Sequence, residues 1–561
     1  MPALIECVPN FSEGRDRDVI RRITDQIVAA GGVTLLHVDS GRDTNRTVVT
    51  FAGPPEAVIE AAFQGIQAAG SLIDMRRHSG AHPRMGATDV CPLVPISGIS
   101  LEETARYATA LADRVGRELG IPVYLYEAAQ KDPRRRNLAA IRSGEYEGLA
   151  EKLRRPEWRP DFGPAEFDAQ RGATVIGARG FLVAYNVNLN TTSTRRANAV
   201  AFDVREQGRP KREGDRLTGK PLTDPTGQPV MIPGTLKAVK EIGWFIPEYG
   251  VAQVSMNLVD LAVTSMHVAF DEVCRKAEAR GLRVTGSELV GLVPLDSLLD
   301  AGRYFLRKQE RSLGVSEAEL IKIAVKSLGL DEMAPFKPEE RIIEYRLRAP
   351  ADRVLVEMSL GDFTDETASE SPAPGGGSIA AAVGAFGAAL GAMVANLSAH
   401  KRGWEDRWEE FSGWAVRGQT LKSELLRLVD ADTLAFNRVM TALALPRQTA
   451  EEQASRKQAL ANATLEAIEV PLQVMRTAAN AFPVLEAMAR DGNPASVSDA
   501  GVGALCARAA VRCAWLNVRI NAPGLGDKAR ATALLEEGRR LIELAEQGEG
   551  AVLKIVEGKL K

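Results

Sequence analysis

Cysteine is scarce in this chain: Cys7, Cys91, Cys274, Cys506 and Cys513 are five among 561 residues, odd in number, scattered and never spaced as CxxC. That pattern argues against a disulfide framework or a cysteine-based metal site and predicts a reducing, cytoplasmic setting. Cys506 and Cys513 lie seven apart, on one helical face, and read as two core residues. The start, MPALIECVPN, lacks the charged segment and apolar run of a secretory signal. Nor is charge of one sign in excess. Lys and Arg number 70 against 73 Asp and Glu, a net charge of -3, so no general attraction to nucleic acid or an anionic membrane is expected. Bulky apolar runs are lacking too. No charged residue occurs between Glu370 and Lys401, a length that could span a bilayer. Yet SIAAAVGAFGAALGAMVA is mostly Ala and Gly, without the Leu and Ile bulk or flanking aromatics of a membrane span. It predicts a central helix closely packed on other helices, not a membrane segment.

What is present changes character near residue 350. Before it, β-rich runs such as TLLHVDS, RTVVTFAG, PVYLYEA, GFLVAYNVNL and VAQVSMNLVD alternate with helical stretches at Glu56–Ile73, Leu101–Leu119 and Thr264–Arg280. This is α/β patterning. After it, long Ala- and Leu-rich stretches of helical period predict a bundle. APFKPEERIIEYRLRAP (Ala334–Pro350) reads as the link. The first part looks doubled: LVPISGISLEETARY (Leu93–Tyr107) resembles LVPLDSLLDAGRY (Leu292–Tyr304), which predicts two similar subdomains meeting near residue 180. Gly208–Thr235 is rich in Gly, Pro and charge and predicts a long mobile surface loop.

Polar candidates for chemistry fall in two clusters. CVPNFSEG (Cys7–Gly14), HVDSGRDTNRT (His37–Thr47) and HSGAHPRMGATD (His78–Asp89) each border a strand-like run, where α/β folds frame their ligands. His78 and His82 are four apart, as in a helical zinc motif, but Gly80 and Pro83 break any helix and no Glu follows His78. The loop therefore presents His82 as a proton acceptor near neutral pH. Asp39 could orient it or stabilise its charge, and Arg42, Arg46 and Arg84 suit a substrate bearing carboxylates. Taken alone, a polar loop with its histidine tied to backbone is the simpler reading. His37 and His267 read as core or boundary residues.

The second cluster is helical. SPAPGGGSIAAA places Gly375–Gly377 and Ser378 just before a helix, where free N–H groups could hold an anion or a ligand carbonyl; a cap and tight turn is the equal alternative. In LKSELLRLVDADTLAFNRVM, Leu421, Leu425 and Leu428 share a face that continues to Asp432, while Asp430 points elsewhere. A carboxylate on an apolar face is costly unless partnered or used, and its raised pKa suits acid–base work. A buried partner arginine is the alternative. Ser498 reads as an N-cap with Asp499 in the first turn.

These stretches carry a resemblance. IECVPNFSEG, DSGRDTNRTVVTF and HSGAHPRMGATDVCPLVP resemble the glutamate formimidoyltransferase family. Ser371–Ser378 with the Ala/Gly helix, VDADTLAF and SVSD resemble formimidoyltetrahydrofolate cyclodeaminase. In this order they resemble the bifunctional family that joins the two. The resemblance implies two ferredoxin-like α+β subdomains, 1–181 and 182–337, a linker at 338–346, and an all-α helical bundle at 347–561. It implies transfer of the formimidoyl group from N-formimidoyl-L-glutamate to N5 of tetrahydrofolate, free or polyglutamylated, then cyclisation to 5,10-methenyltetrahydrofolate with loss of ammonia. These are consecutive steps of histidine degradation. Tetrahydrofolate is then a substrate carrier, and no metal is expected. The family's catalytic histidine falls on His82 and its acid–base aspartate on Asp432, the aspartate that the periodicity also selects. Its folate segment falls on Gly163, Pro164, Ala165, Glu166, Phe167, Asp168, Ala169, Gln170, Arg171 and Gly172. The family assembles from dimers, an octamer in some members. Gly208–Thr235 is longer than the family pattern. The rival expectations are a transferase with an inactive helical part, a folate-binding scaffold, and a metal hydrolase using His78 and His82.

Overall fold

In the computed structural model, residues 3–42, 44–80, 82–214, 219–347 and 354–560 are described. They form two compact units: Met1–Ala301 with Val325–Leu347, and Gly302–Ala324 with Arg348–Lys561.

The first unit opens with β1 (Leu4–Cys7), β2 (Asn10–Phe11), α1 (Arg17–Ala29), β3 (Thr34–Gly41), β4 (Arg46–Gly53), α2 (Pro55–Leu72), β5 (Thr88–Ser97) and α3 (Leu101–Arg114). Local signals set these ends. Asp16 accepts hydrogen bonds from the first-turn N–H groups of α1, and Ser100 with Glu103 forms a capping box on α3. The order β3-β4-β1-β5, all antiparallel, is that of a ferredoxin-like sheet. Beyond it the sheet continues in parallel through β7 (Thr174–Ala178) and β6 (Val123–Glu127). Between β6 and β7 run the short helices α4 (Leu138–Arg142) and α5 (Leu149–Lys152). Ile5, Cys7, Val49, Phe51, Cys91 and Leu93 fill the core with residues of α1, α2 and α3. The alternate strand positions, including Glu6, His37, Asp39, Arg46 and Thr50, face the other way.

The second half repeats this plan. It comprises β8 (Val183–Leu189), α6 (Thr194–Val204), β9 (Arg209–Pro210), β10 (Met231–Ile232), β11 (Val239–Ile246), β12 (Val251–Leu258), α7 (Met266–Glu278) and β13 (Val284–Val290). The order β11-β12-β8-β13 is again antiparallel. The two resembling sequences fall at matching places, each running from the region of a fourth strand, β5 or β13, into the helix that follows.

Three expectations change. Gly208–Thr235, expected as a long mobile surface loop, carries pairing of its own: β9 pairs with β10 and bridges join Arg212 to Pro221 and Thr223 to Pro229; residues 215–218 lie outside the described residues. The expected linker 338–346 is built into the first unit as α10 (Pro338–Arg341) and the start of α11 (Ile343–Leu347). Its hydrophobic pair decides this: Ile342 is buried, and Ile343 packs against Leu36 and Ala52. Before them, residues 302–324, from within α8 (Leu295–Lys308) to within α9 (Glu317–Leu328), belong to the helical unit. There Asn396 donates to the Gly314 carbonyl at 2.8 Å and the Leu313 N–H donates to Ser412 at 2.9 Å.

The helical unit adds α12 (Leu360–Thr367), α13 (Gly376–Ala399), α14 (Trp408–Ala444), α15 (Ala450–Ala479), α16 (Phe482–Asp491), α17 (Val497–Asn521) and α18 (Lys528–Lys559). Among the described residues, α13 alone is long and apolar enough to cross a bilayer, and most of it is buried in the bundle. Its glycines are consumed within the chain. A Cβ on Gly384 would meet Ala510 at 3.1 Å, one on Gly387 the Gly503 carbonyl at 2.8 Å, and one on Gly391 Val484 at 3.2 Å. Cys506 is half-buried and Cys513 exposed, so that pair is not core, whereas distant Cys7 and Cys91 meet in the first core with sulfurs 3.4 Å apart.

Candidate active sites

The histidine loop leaves α2 and returns into β5, and polar contacts hold it. His78 Nε2 lies 2.8 Å from the Asn45 carbonyl and its Nδ1 accepts from Arg84 Nε at 3.3 Å. A neutral ring with its proton on Nε2 satisfies both contacts, so both nitrogens are used. Asn45 itself donates to the Ser79 carbonyl and accepts from the Gly14 N–H, tying the loop to the segment after β2. At its far end, buried Asp89 accepts from the Met85 N–H at 3.0 Å and pairs with Arg142 of α4.

His82 projects from this frame half-buried. Burial, with the guanidinium groups of Arg46 and Arg142 nearby, pushes its pKa down to about 4, opposed by a hydrogen bond to the Pro83 backbone. Proline has no N–H, so that bond is donated by the ring to the Pro83 carbonyl. One nitrogen is thereby fixed as donor and the other is left as acceptor. Arg142 is committed to Asp89, whereas Arg46 makes no ion pair among the described residues and its buried Nε lacks a hydrogen-bond partner.

Asp39 is brought to the same sheet face as Arg46 but is exposed, and among the described residues no hydrogen bond joins it to His82. The expected orienting contact is therefore absent; its charge acts on Arg46 and on His37.

The segment Gly163–Gly172 closes against the foot of the loop. Gly163 and Gly172 have φ of +79° and +69°, a region that favours glycine. A Cβ on Gly172 would lie 2.2 Å from the Met85 carbonyl oxygen. Asp168 accepts from the Gln170 and Arg171 N–H groups and from Arg171 Nε, so these side chains stabilise the turn. The exposed lip is Pro164–Phe167, and the Phe167 ring lies 5.5 Å from that of Tyr146. Beside it a cavity of about 480 Å³ is lined by Ser79, Gly80, Arg84, Gly144, Glu145 and Glu147.

In the helical unit α13, α14 and α17 converge. Gly376 and Gly377 form the first turn of α13 rather than preceding it. A Cβ on Gly377 would lie 2.1 Å from Asp432 Oδ1, so the carboxyl rests on bare backbone. Asp432 also takes a hydrogen bond from the Ser378 backbone N–H. The helix N-terminus expected to hold an external anion is thus already faced by the chain's own carboxyl. Burial raises the Asp432 pKa, and the Ser378 hydroxyl and backbone N–H oppose the rise. Ser378 Oγ donates to the Val429 carbonyl at 2.8 Å and lies 3.3 Å from both Asp432 Oδ2 and Thr433 Oγ1. The Ser378 hydroxyl is placed to donate to the Val429 carbonyl or to Asp432 Oδ2. Asn517 of α17 borders the site, 3.4 Å from where a Gly376 Cβ would stand.

Asp430 is directed elsewhere and is itself buried, accepting from the Leu355 N–H at 2.8 Å, because this helix packs on more than one side. One expectation fails here. Ser498 is not the N-cap: Pro494–Ser496 forms a turn capped by Asn493, and α17 starts at Val497, putting Ser498 and Asp499 in its first turn. Sequence reading also missed Arg142, Glu145, Glu147 and Asn517. The turn-rich stretch RSGEYEG, lying between two helical patterns, was the available signal for the two glutamates.

The chain thus joins a doubled ferredoxin-like unit, in which burial holds His82 below the ordinary histidine pKa, to an all-α unit in which burial raises the pKa of Asp432. Family models describe the same division. The N-terminal subdomain of the formiminotransferase domain matches residues 4–179, the formiminotransferase domain 184–348, and formiminotransferase-cyclodeaminase 359–540. The chain is 44% identical over 558 residues to a formimidoyltransferase-cyclodeaminase of Gallus gallus, covering 99% of each. A glutamate formimidoyltransferase of Thermoplasma acidophilum is 41% identical, covering 54% of this chain and 93% of that one. A methenyltetrahydrofolate cyclohydrolase of Methylorubrum extorquens is 40% identical over 186 residues, covering 33% and 88%. The chain belongs to the formimidoyltransferase-cyclodeaminase family.

Proposed function

We propose that the protein carries out two consecutive folate reactions of histidine degradation in the cytoplasm. The similarity to the Gallus gallus relative, spanning 99% of both chains, carries this reading. In the first unit, N5 of tetrahydrofolate attacks the amidine carbon of N-formimidoyl-L-glutamate. Neutral His82 accepts the N5 proton and returns it to the departing glutamate nitrogen. Arg46 takes a substrate carboxylate next to that centre, Asp39 helps keep Arg46 charged, and Gly163–Gly172 holds the folate along its exposed lip.

In the second unit N10 of 5-formimidoyltetrahydrofolate, its formimidoyl group protonated as an amidinium, closes onto the same carbon. Protonated Asp432 gives its proton to the departing ammonia and recovers one from N10, so the carboxyl is regenerated and 5,10-methenyltetrahydrofolate results. No step needs a metal.

Assembly from dimers is part of the proposal. α13 exposes Phe386, Met393 and Leu397, and α17 exposes Val502, Leu505, Leu516 and Ile520. A second copy would cover these faces.

The test supplies formimidoylglutamate and tetrahydrofolate and follows folate species and ammonia. Methenyltetrahydrofolate with stoichiometric ammonia is expected. Accumulating 5-formimidoyltetrahydrofolate would mean an inactive helical unit. Onward hydrolysis to the formyl derivative would favour the cyclohydrolase activity named for the Methylorubrum extorquens relative. No turnover would leave a scaffold.

A further inference from the structure

The cavity beside the histidine loop holds a salt bridge that no step above uses. Arg84 is nearly buried, its side chain only 10% exposed, and its Nε is fixed on His78. Its outer nitrogens meet Glu147 in a two-pronged pair, Nη1 to Oε2 at 2.8 Å and Nη2 to Oε1 at 2.6 Å, with Glu145 Oε2 at 3.3 Å. The partners are unequal, because the Glu147 side chain is 65% exposed. The cation is built in, whereas the anion is largely exposed, and both line a cavity of about 480 Å³. The turn bringing the carboxylates is strained: Glu145 has φ of +52°, directly after Gly144 at +87°. Side chains with a Cβ rarely hold that conformation, which costs about 1–3 kcal/mol and tends to persist where function requires it.

We propose that Glu147 is a placeholder: in the free protein it occupies the position of a substrate carboxylate on Arg84, and the substrate displaces it. This rests on the reading of the first unit as a formimidoyltransferase. Two-pronged binding to a pre-positioned guanidinium is what any carboxylate adopts. The displaced Glu147 returns to water, where an exposed group loses little. Both substrates carry the required chemistry, the glutamate moiety of the formimidoyl donor and the glutamyl tail of the folate. The tail has a path, since Tyr146, between the two glutamates, adjoins Phe167 on the proposed folate lip and its ring centre lies 5.9 Å from the Arg84 guanidinium.

The test uses the full chain and the variants Glu147→Gln and Arg84→Gln, whose effects must oppose each other. Glu147→Gln is expected to lower one KM about fivefold, the scale of an exposed ion pair, with kcat unchanged. Arg84→Gln should raise the same KM at least about tenfold. Movement in the KM of formimidoylglutamate assigns the donor; movement in the KM of tetrahydrofolate, larger for its polyglutamate, assigns the tail. A purely structural bridge would move both variants the same way or neither. Either of those results, or a raised KM in Glu147→Gln, overturns the proposal. Calorimetric binding of L-glutamate and of a glutamyl-tailed folate reads the same exchange without turnover, so loss of the transferase reading is distinguishable. If neither binds more tightly to Glu147→Gln than to the unaltered chain, the placeholder is refuted.

Discussion

The two candidate centres hold their titratable groups by opposite architecture and one shared cause. His82 sits on an irregular loop fixed by side-chain contacts from several segments, whereas Asp432 sits on a helix of 37 residues against the glycine turn of another. In both, burial is the largest influence, and it favours the neutral form. The histidine is thereby pushed toward its neutral form, and the carboxyl's hold on a proton is raised above the ordinary. Arginines push His82 further in the same direction, while Ser378 pulls Asp432 back. Dry surroundings can thus prepare a base and an acid alike, and the identity of the side chain decides which.

The largest test of this comparison removes each carrier in turn. His82→Ala should lower formimidoyl transfer by about 10²–10⁴ and leave cyclodeamination of supplied 5-formimidoyltetrahydrofolate unchanged. Asp432→Asn should do the reverse, measured by separate assays. Loss of both activities in a folded variant would end the two-centre account.

Nearly as large an effect is expected from one methyl group. Gly377→Ala puts a Cβ where Asp432 Oδ1 now lies, so the carboxyl must move and leave its Ser378 N–H. Cyclodeamination should fall at least about a hundredfold, while transfer and the unfolding transition of the first unit stay as they are. Unchanged cyclodeamination would show that the close approach is not required.

Assembly probes the same glycine helix from its other side. A larger residue at Gly387 would strain the contact with Gly503 inside the chain and would not report on the interface. Phe386→Glu, on the exposed stripe, should lower the mass seen by sedimentation while each chain stays folded. Unaltered mass would place the interface elsewhere.

How much of this was legible in the sequence followed the range of the interactions. Strands with alternating patterns and helices with capping residues were readable, because period and caps are local; so was the doubling, since both copies keep a strand-to-helix boundary. Asp432 was visible through helical period. The burial of Asp430 on another side was not legible, because a single amphipathic stripe does not anticipate a helix packed on more than one side. Ile342 and Ile343 were hidden in a charged stretch that read as a linker, and only the surface they cover explains them. Arg142 and Glu147 reach the histidine loop across more than fifty residues, a distance no local pattern encodes.

The smallest expected effect is a displaced pH limb, and it separates the two causes acting on His82. The transferase needs His82 neutral, so kcat/KM for transfer should hold as pH falls past 6.5 and decline only toward about 4, provided the fold persists. Stability follows the same sign. The folded pKa lies below the ordinary value, so protonation opposes folding, and His82 subtracts stability as pH drops from about 6.5 through 4. Arg46→Gln removes a nearby positive charge and should move the acid limb upward. It should not restore an ordinary histidine, because burial is the larger cause and Arg142 remains. An acid limb already at 6.5 in the unaltered chain would mean that the loop opens to water in solution. A limb that ignores Arg46→Gln would remove Arg46 from the causes and leave burial and Arg142 to account for the shift of this base.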